Sequence, residues 1–543
     1  MAKTADGDIF DYVIVGAGSA GCALASRLSE DGRTRVALVE AGSRDTDPWI
    51  HIPAGYFRTM FNPAVTWQYG SGPEPFCDNR IVAWPRGRVL GGSSAINGLL
   101  YVRGQSQDYD MWRQLGNPGW AFKDVLPYFR RSEDQERGES ELHGAGGPLG
   151  VSDVRMQNPL CEAYIAACVE AGIPATRDFN GVSQEGAGYY QLTVRNGRRC
   201  SSAVAYLNPA RRRHNLRIIT DAEVQAITFA GRRANGIRFV AGGAEKTVTA
   251  TREVILCAGA IGSPQLLEVS GIGAPAVLKA AGVDVRHELP GVGENMQDHY
   301  QVRFVYEMNV SESLNDVWNK PLKQLKAGVE YATKRTGILT IGAGVVGVFT
   351  QSRQGLDLPD IQFHMMPLSA ERPGQGLHPF SGVTASVCVL RPDARGHIHI
   401  RAPEFRVPPE IISNYLGTES DRAATLGGLK LARRIAAQPS FARLVKREVL
   451  PGIEAASEDA LMAFARAMGT TVFHPCGTCK MGQDGKSVVD ERLRVRGIGG
   501  LRVVDASIMP TLISGNTNAP SIMIAEKASD MIREDARTAA AAA

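Results

Sequence analysis

Three stretches of this 543-residue chain place reactive or ligand-binding residue types at spacings with a chemical meaning. The first is Gly16-Ala17-Gly18-Ser19-Ala20-Gly21, with Glu40 about 20 residues further on. Gly16 permits a tight turn, Gly18 lets a pyrophosphate approach the backbone, and Gly21 lets a helix pack closely on a strand. A helix opening at Ser19 and Ala20 offers unpaired N–H groups and positive partial charge to phosphates. Glu40 can accept hydrogen bonds from ribose hydroxyls. The pattern fits FAD and NAD alike. The second stretch is Cys476-Gly477-Thr478-Cys479, which has the spacing of a thioredoxin pair but follows His474-Pro475 rather than a thioredoxin-like strand. No second such pair and no spaced histidine pair accompanies it, so neither redox nor zinc chemistry is expected and no metal site is assigned. The third is His397 and His399 on one strand face, expected as exposed or hydrogen-bonded imidazoles rather than metal ligands. No Gly-x-Ser-x-Gly elbow is present, which argues against a hydrolase.

The elements that must position these residues alternate from the start. An apolar run at 12–15 precedes the glycine turn, a helical pattern covers 20–29, and the run 36–39 ends at Glu40, which together read as a βαβ unit. Buried-strand runs recur at 216–220, 254–257 and 501–505, so one sheet is expected to assemble from distant segments. Between them, roughly 300–465 mixes alternating strand patterns, such as 397–401, with amphipathic helices such as 421–437, and reads as a second domain inserted into the first. Two domains also suit the length. Composition is that of a globular protein, 44% hydrophobic and 21% charged, and 60 Lys+Arg against 56 Asp+Glu leave only +4, too little for a nucleic-acid surface. The N-terminus carries acidic residues where a signal peptide is basic, and no run approaches a membrane span. Nine scattered cysteines form no disulfide framework, so a reducing, cytoplasmic setting is expected. The Ala-rich tail, 536–543, is expected to be disordered.

Longer segments narrow the choice. One runs from Gly87 to Gly104 and includes Gly91-Gly92-Ser93-Ser94 and Asn97-Gly98-Leu99-Leu100, where small residues let the backbone lie against a flat ligand. Another runs from Gly259 through Gly262-Ser263-Pro264-Gln265 to Gly271-Ile272-Gly273. A third opens at His474-Pro475, with Asp505-Ala506, Asn516 and Asn518-Ala519-Pro520 after it. Together these resemble the signature and C-terminal segments of the glucose-methanol-choline oxidoreductase family over residues 10 to about 533, and the texture is most similar to bacterial L-sorbose, polyethylene glycol and choline dehydrogenases.

The resemblance implies an α/β fold: a discontinuous Rossmann-like FAD-binding domain (1–155, 211–300 and 466–535) with an inserted α+β substrate domain on an antiparallel sheet (156–210 and 301–465). It places FAD with its pyrophosphate at Gly16 to Gly21, its ribose at Glu40 and Ala41, and its adenine side against the backbone around Val224. The isoalloxazine would lie near Gly91 to Leu100, with Arg88, Ala258, Gly259, Asp505 and Ala506 completing the site and Asn518 to Pro520 at the pyrimidine edge. Some family oxidases tether the flavin through a histidine immediately before the position of Asn97; Ile96 stands there, so FAD is expected to be non-covalent. The base that removes the hydroxyl proton of an alcohol maps onto His474, and its polar partner onto Asn516. A helix opening near Pro520 would aim its positive end at the flavin. The turn carrying Asp298 and His299 is assigned a structural role. The expected activity is oxidation of a primary, polyol or sugar-like alcohol by hydride transfer to flavin, with a quinone, cytochrome or dye taking the electrons; an oxidase using oxygen and a flavin-containing lyase are the alternatives. The sequence specifies neither the alcohol nor the oligomeric state.

Overall fold

The computed structural model describes residues 8–372 and 374–542. Residues 1–7, which include part of the segment expected not to be a signal peptide, and Ala543 of the tail lie outside the described residues. The strand Asp8–Val15 is buried through its last four residues, as an apolar run requires when helices cover both faces of a parallel sheet. It turns at Gly16 into the helix Ser19–Leu28 and returns as Val36–Val39. Leu216–Ile219 extends the sheet beyond Val36–Val39. On the other side, Ala244–Leu256 pairs parallel with Asp8–Val15 and antiparallel with Arg233–Ala241, which pairs in turn with Ala222–Ala230. Leu501–Val503 joins parallel to Ala244–Leu256 and completes a seven-stranded sheet. The expected gathering of distant apolar runs is therefore what forms, although the run at 254–257 is only the buried end of a longer strand whose polar half belongs to the antiparallel meander.

The helix Asn518–Ala542 packs along Ser19–Leu28. The buried carboxylate of Glu526 holds this region together by accepting from Arg27 Nε at 2.9 Å, Arg131 Nε at 2.8 Å and the Tyr206 hydroxyl at 2.8 Å. The two helix N-termini consequently lie side by side, and the Ser19 hydroxyl donates to Asn518 Oδ1 at 2.8 Å. The expectation of disorder from 536 onward is corrected: the helix runs to Ala542, in keeping with alanine's having the highest helix propensity.

A second seven-stranded sheet is antiparallel throughout, in the order Val445–Leu450, Tyr300–Met308, Gly382–Val389, Ile361–Met366, Val346–Thr350 and Gly186–Tyr189, with Thr470–Thr471 also pairing to Tyr300–Met308. Its central strands alternate. Val383, Ala385 and Val387 share one face, and the helix Glu419–Ala436 packs there so closely that a Cβ on Gly428 would meet Val387 Cγ2 at 2.7 Å. Thr384 and Ser386 fall on the opposite face, beside Gln301 and Arg303 of the neighbouring strand and His364 of the other. That polar face looks toward the nucleotide sheet. His397–His399 forms a separate small sheet with Glu410–Ile412. Among the described residues, no helix is long and apolar enough to cross a membrane.

Candidate active site

One continuous cavity runs between the two sheets, from the glycine turn to the polar face of the antiparallel sheet. At the nucleotide end the glycines do different jobs. Gly16 has φ +98°, and a Cβ on it would sit 2.5 Å from the Cys257 carbonyl oxygen. A Cβ on Gly21 would lie 1.9 Å from the Gly16 carbonyl oxygen, so its bareness serves helix–strand packing. At Gly18 a Cβ would meet nothing closer than Cys257 O at 3.9 Å, so packing within the chain does not demand glycine there. Its bare backbone leaves room for a ligand at a helix start that has no side-chain cap, where N–H groups remain free for phosphate. Gly92, at φ +52°, closes on this turn so tightly that a Cβ would come within 2.6 Å of Gly18 Cα. This cradle and its donor set fit a dinucleotide.

Glu40 lines the cavity and accepts from the backbone N–H of Ala17 and of Gly42, each at 2.8 Å; burial pushes its carboxyl up to about 7 against those two bonds. Asp505 accepts from Gly259 N at 2.9 Å, Ser263 Oγ at 2.6 Å and Ser507 N at 2.8 Å, which braces the start of the helix Gly259–Val269 against the cavity. Gly16, Gly18, Ser19, Ala20, Ala41, Gly92, Ser93, Asn97, Gly98, Leu99, Leu100, Val224, Ala258, Gly259, Ala506 and Asn518 all reach the wall, as do His474 and Asn516. Gly21, Arg88, Gly91, Ala519 and Pro520 do not form part of it. Arg88 instead lies over the Trp67 ring and 3.7 Å from Glu223, Gly91 turns the chain at φ +91°, and Pro520 with Ala519 sits inside the first turn of its helix.

The far end is a histidine corner. Residues 297–301 run alongside 470–476: Gln297 and Cys476 exchange backbone hydrogen bonds, Val472 N donates to His299 O at 2.8 Å, and Tyr300–Met308 pairs with Thr470–Thr471. The loop is then pinned by side chains. Asp298 accepts from His474 N at 2.7 Å and from the Thr471 and Tyr415 hydroxyls, Phe473 adopts φ +67°, and the Phe473 carbonyl accepts from Arg86 Nη1 at 2.9 Å. Burial pushes the Asp298 carboxyl up to about 6.

The hydrogen-bond chain fixes the tautomers. His299 Nε2 lies 3.0 Å from the Leu390 carbonyl oxygen, which can only accept, so Nε2 carries the proton. Burial drops the His299 pKa to about 4, so the ring is neutral and its Nδ1 is a lone pair. That lone pair faces His474 Nδ1 at 2.9 Å, and two lone pairs would repel, so His474 Nδ1 donates. His474 Nε2 is therefore the unprotonated nitrogen, turned to the cavity and to the Asn516 amide nitrogen at 3.2 Å. Burial, with contributions from His299, His364 and Arg86, holds the His474 pKa well below its ordinary value. The corner thus presents a neutral imidazole lone pair able to take a proton, with an amide N–H beside it.

The turn of Asp298 and His299, expected to be structural, also reaches His474: Asp298 accepts from its backbone N–H and His299 meets its Nδ1. His364 was not singled out in the sequence. It lines the cavity with both ring nitrogens unpartnered, stacks on Tyr190 at 5.7 Å, and is pulled down to about 3 by burial and then by His299. Only the period-two alternation of Ile361–Met366 marks its face in advance. Elsewhere, His399 lies between Glu268 and Glu294 at 2.7 and 3.2 Å and His397 is 3.5 Å from Glu410, so both are hydrogen-bonded. All nine cysteines are free and buried, and burial pushes the thiols of Cys476 and Cys479 up, away from thiolate reactivity.

The chain is similar to known proteins over nearly its whole length. Two GMC oxidoreductase family models match, over residues 10–301 and 392–525. An "Alcohol dehydrogenase [acceptor]" of Pseudomonas putida is 42% identical over 527 residues, covering 96% of each chain. An "Oxygen-dependent choline dehydrogenase" of Escherichia coli is 43% identical over 536 residues, covering 96% of this chain and 95% of the relative. Among solved structures, pyridoxine 4-oxidase from Mesorbium loti superposes with a TM-score of 0.87 at 32% identity, over 97% of this chain and 99% of that one. A formate oxidase from Aspergillus oryzae, examined for FAD modification, does so at 0.91 and 25% identity, over 98% and 100%. The chain therefore belongs to the GMC oxidoreductase family, and the dinucleotide its glycine cradle serves is FAD.

Proposed function

We propose that this FAD-dependent GMC oxidoreductase oxidises the CH–OH group of an alcohol to a carbonyl, with His474 as the proton acceptor and Asn516 as the donor that orients the reacting oxygen. The observation that carries the reading is the tautomer chain from the Leu390 carbonyl through His299, which leaves His474 Nε2 as a lone pair on the cavity wall. The hydroxyl proton passes to His474 Nε2, and the Asn516 amide N–H stabilises negative charge developing on the oxygen. Asn516 Oδ1 is buried without a partner, so the amide has capacity left for a ligand. Bound FAD, held by the glycine turn and the wall from Gly92 to Leu100, would supply the acceptor for the hydride of the same carbon. The depressed pKa keeps the imidazole in its proton-accepting form at neutral pH, and Met366, Leu368 and Leu377 add apolar wall to the same cavity.

Residues 1–155, 211–300 and 466–535 are assigned to the nucleotide part and 156–210 with 301–465 to the substrate part. FAD is held without a covalent bond: Ile96, at the cavity wall, has no nucleophilic atom to offer. Acid precipitation should release the flavin to the supernatant, and flavin left in the pellet would overturn this assignment. The electron acceptor is a quinone, cytochrome or dye-like compound, a reading supported by the acceptor-type dehydrogenase relative, and the nine free cysteines support a reducing, cytoplasmic setting.

The test is an anaerobic titration of the flavin spectrum with a panel of alcohols, followed by a quinone or by oxygen. Bleaching by an alcohol and rapid reoxidation by quinone are expected. A bound flavin that no alcohol bleaches would overturn alcohol oxidation and favour a lyase. Stoichiometric peroxide formed faster than quinone is reduced would replace the acceptor with oxygen, in line with the solved oxidases of similar fold.

A further inference from the structure

The substrate end of the cavity is cationic. Of the charged residues on the cavity wall, among the described residues, Arg86, Arg303 and Arg372 are positive, while the only carboxylates are Glu40 and Asp505. Both carboxylates belong to the nucleotide end, and each already accepts from protein donors. Among the described residues, no carboxylate on the wall near His474 is placed to neutralise a cation such as a quaternary ammonium.

Arg303 is the residue to which this imbalance matters most. It lies on the cavity face of Tyr300–Met308, two residues beyond Gln301 and directly opposite Ser386, which is itself opposite His364 on the next strand. Its guanidinium donates only to the backbone carbonyls of Ala370 at 3.1 Å and Glu371 at 3.5 Å. It forms no ion pair with any described carboxylate; the Glu371 side chain acts on it from a distance but is exposed and lies 3.6 Å from His378 instead. Two carbonyls leave most of the five guanidinium N–H donors unused. A half-buried guanidinium with no counter-charge of its own is poised to pair with an anionic ligand. On the same face, Thr384 Oγ1 is buried without a partner, 5% exposed, and lines the same cavity. Met366, Leu368 and Leu377 supply apolar wall nearby.

Resting on the reading of His474 as the base, we propose that the substrate is an alcohol carrying a carboxylate, bound by Arg303 with Thr384 beside it and Arg372 toward the cavity mouth. His299 immediately precedes the strand Tyr300–Met308 and lies four residues before Arg303, on the order of 13 Å of extended backbone. The carboxylate is therefore several bonds from the CH–OH group, across an aliphatic or aromatic spacer that lies on the apolar wall. On this proposal 2-hydroxy acids, whose two groups are adjacent, and choline, which is cationic, are poor substrates.

The test uses the FAD-loaded enzyme and anaerobic stopped-flow reduction by 6-hydroxyhexanoate, its methyl ester, 1-hexanol, lactate and choline. A separate readout, perturbation of the flavin spectrum by unreactive hexanoate, gives a Kd without turnover. The wild type should favour 6-hydroxyhexanoate over the ester at least 10-fold in kred/Kd, bind hexanoate, and react poorly with lactate and choline. Arg303→Gln should bring the acid-to-ester ratio close to one and weaken hexanoate binding at least 10-fold, while Arg303→Lys should restore part of both. Should the Gln variant fail to fold, the wild-type ratio stands alone as the test. Neutral or cationic alcohols that reduce the wild-type flavin as well as the acid does would overturn the proposal while leaving the role of His474 intact. A flavin reduced by none of these compounds, nor by any other alcohol, would overturn the alcohol-oxidation reading and this inference with it.

Discussion

Two groups of buried histidines in this chain have opposite protonation states, and what separates them is carboxylate contact. His143 lies between Glu133 and Asp178, with Nδ1 3.0 Å from the first and Nε2 2.9 Å from the second. Burial opposes its charge, but the hydrogen bonds to Asp178 and Glu133 outweigh burial and lift it to about 9. His299, His364 and His474 are no more exposed, yet they touch a carbonyl, an amide, one another or nothing, and all are pulled down. The nearest carboxylate, Asp298, spends its oxygens on the His474 backbone N–H and on two hydroxyls. Withholding a carboxylate from the ring is what leaves His474 available as a base; giving His143 two of them turns it into a fixed cation that ties loops together.

The comparison can be broken at either end. The largest effect is expected at His474: His474→Ala should slow anaerobic flavin reduction by about 10² to 10⁴, the usual contribution of a positioned acid–base group, and an unchanged rate would remove the imidazole from the reaction. Asn516→Ala should cost about 10² in the same rate constant, because a donor aimed at developing charge is lost; an effect on Kd alone would make the residue a binder only. His299→Phe removes the acceptor of the His474 Nδ1–H, freeing the ring to take the other tautomer, and should cost roughly 10-fold with partial recovery in His299→Asn; equal rates in all three proteins would discard the tautomer argument.

His143→Gln, by contrast, should leave flavin reduction unaltered and lower stability by about 1.5 to 3 kcal/mol through lost hydrogen bonds to charged groups, as read by chemical denaturation. The folded pKa of His143 is raised above the unfolded value, so its stabilisation is complete below about pH 6.5 and is lost as pH rises through about 9. The variant should lack that alkaline decline. A variant as stable as wild type at pH 6 would show that the two ion pairs contribute nothing.

How much of this was legible in the sequence follows from the distance over which each feature is encoded. The glycine turn, the helix it opens and Glu40 sit within one βαβ unit, where every residue's job is local, and Gly16, Gly18 and Glu40 reach the cavity wall while Gly21 serves packing. His474 and Asn516 were singled out by long motifs, and the structure brings them together at 3.2 Å on the cavity wall. His299 was visible but its contact with His474 was not, because that partner is 175 positions away and is reached only through strand register. His364 and Arg303 carry no local pattern beyond alternation; they face Ser386 from two strands that meet it from either side, a fact fixed by pairing and not by spacing along the chain. The extent of the last helix was missed because low-complexity alanine was read as a frayed end, although alanine favours the helix.

The central claim, that His474 is neutral because its ring is buried away from any carboxylate, is tested most directly by the pH profile of flavin reduction at saturating alcohol in the wild-type enzyme, followed by anaerobic stopped-flow. A depressed pKa keeps the base form populated above it and loses that form only as pH falls through it. The rate constant should therefore be flat from about pH 6 to 8 and decline only well below the ordinary histidine value of about 6.5. A decline centred at or above that value would contradict the account.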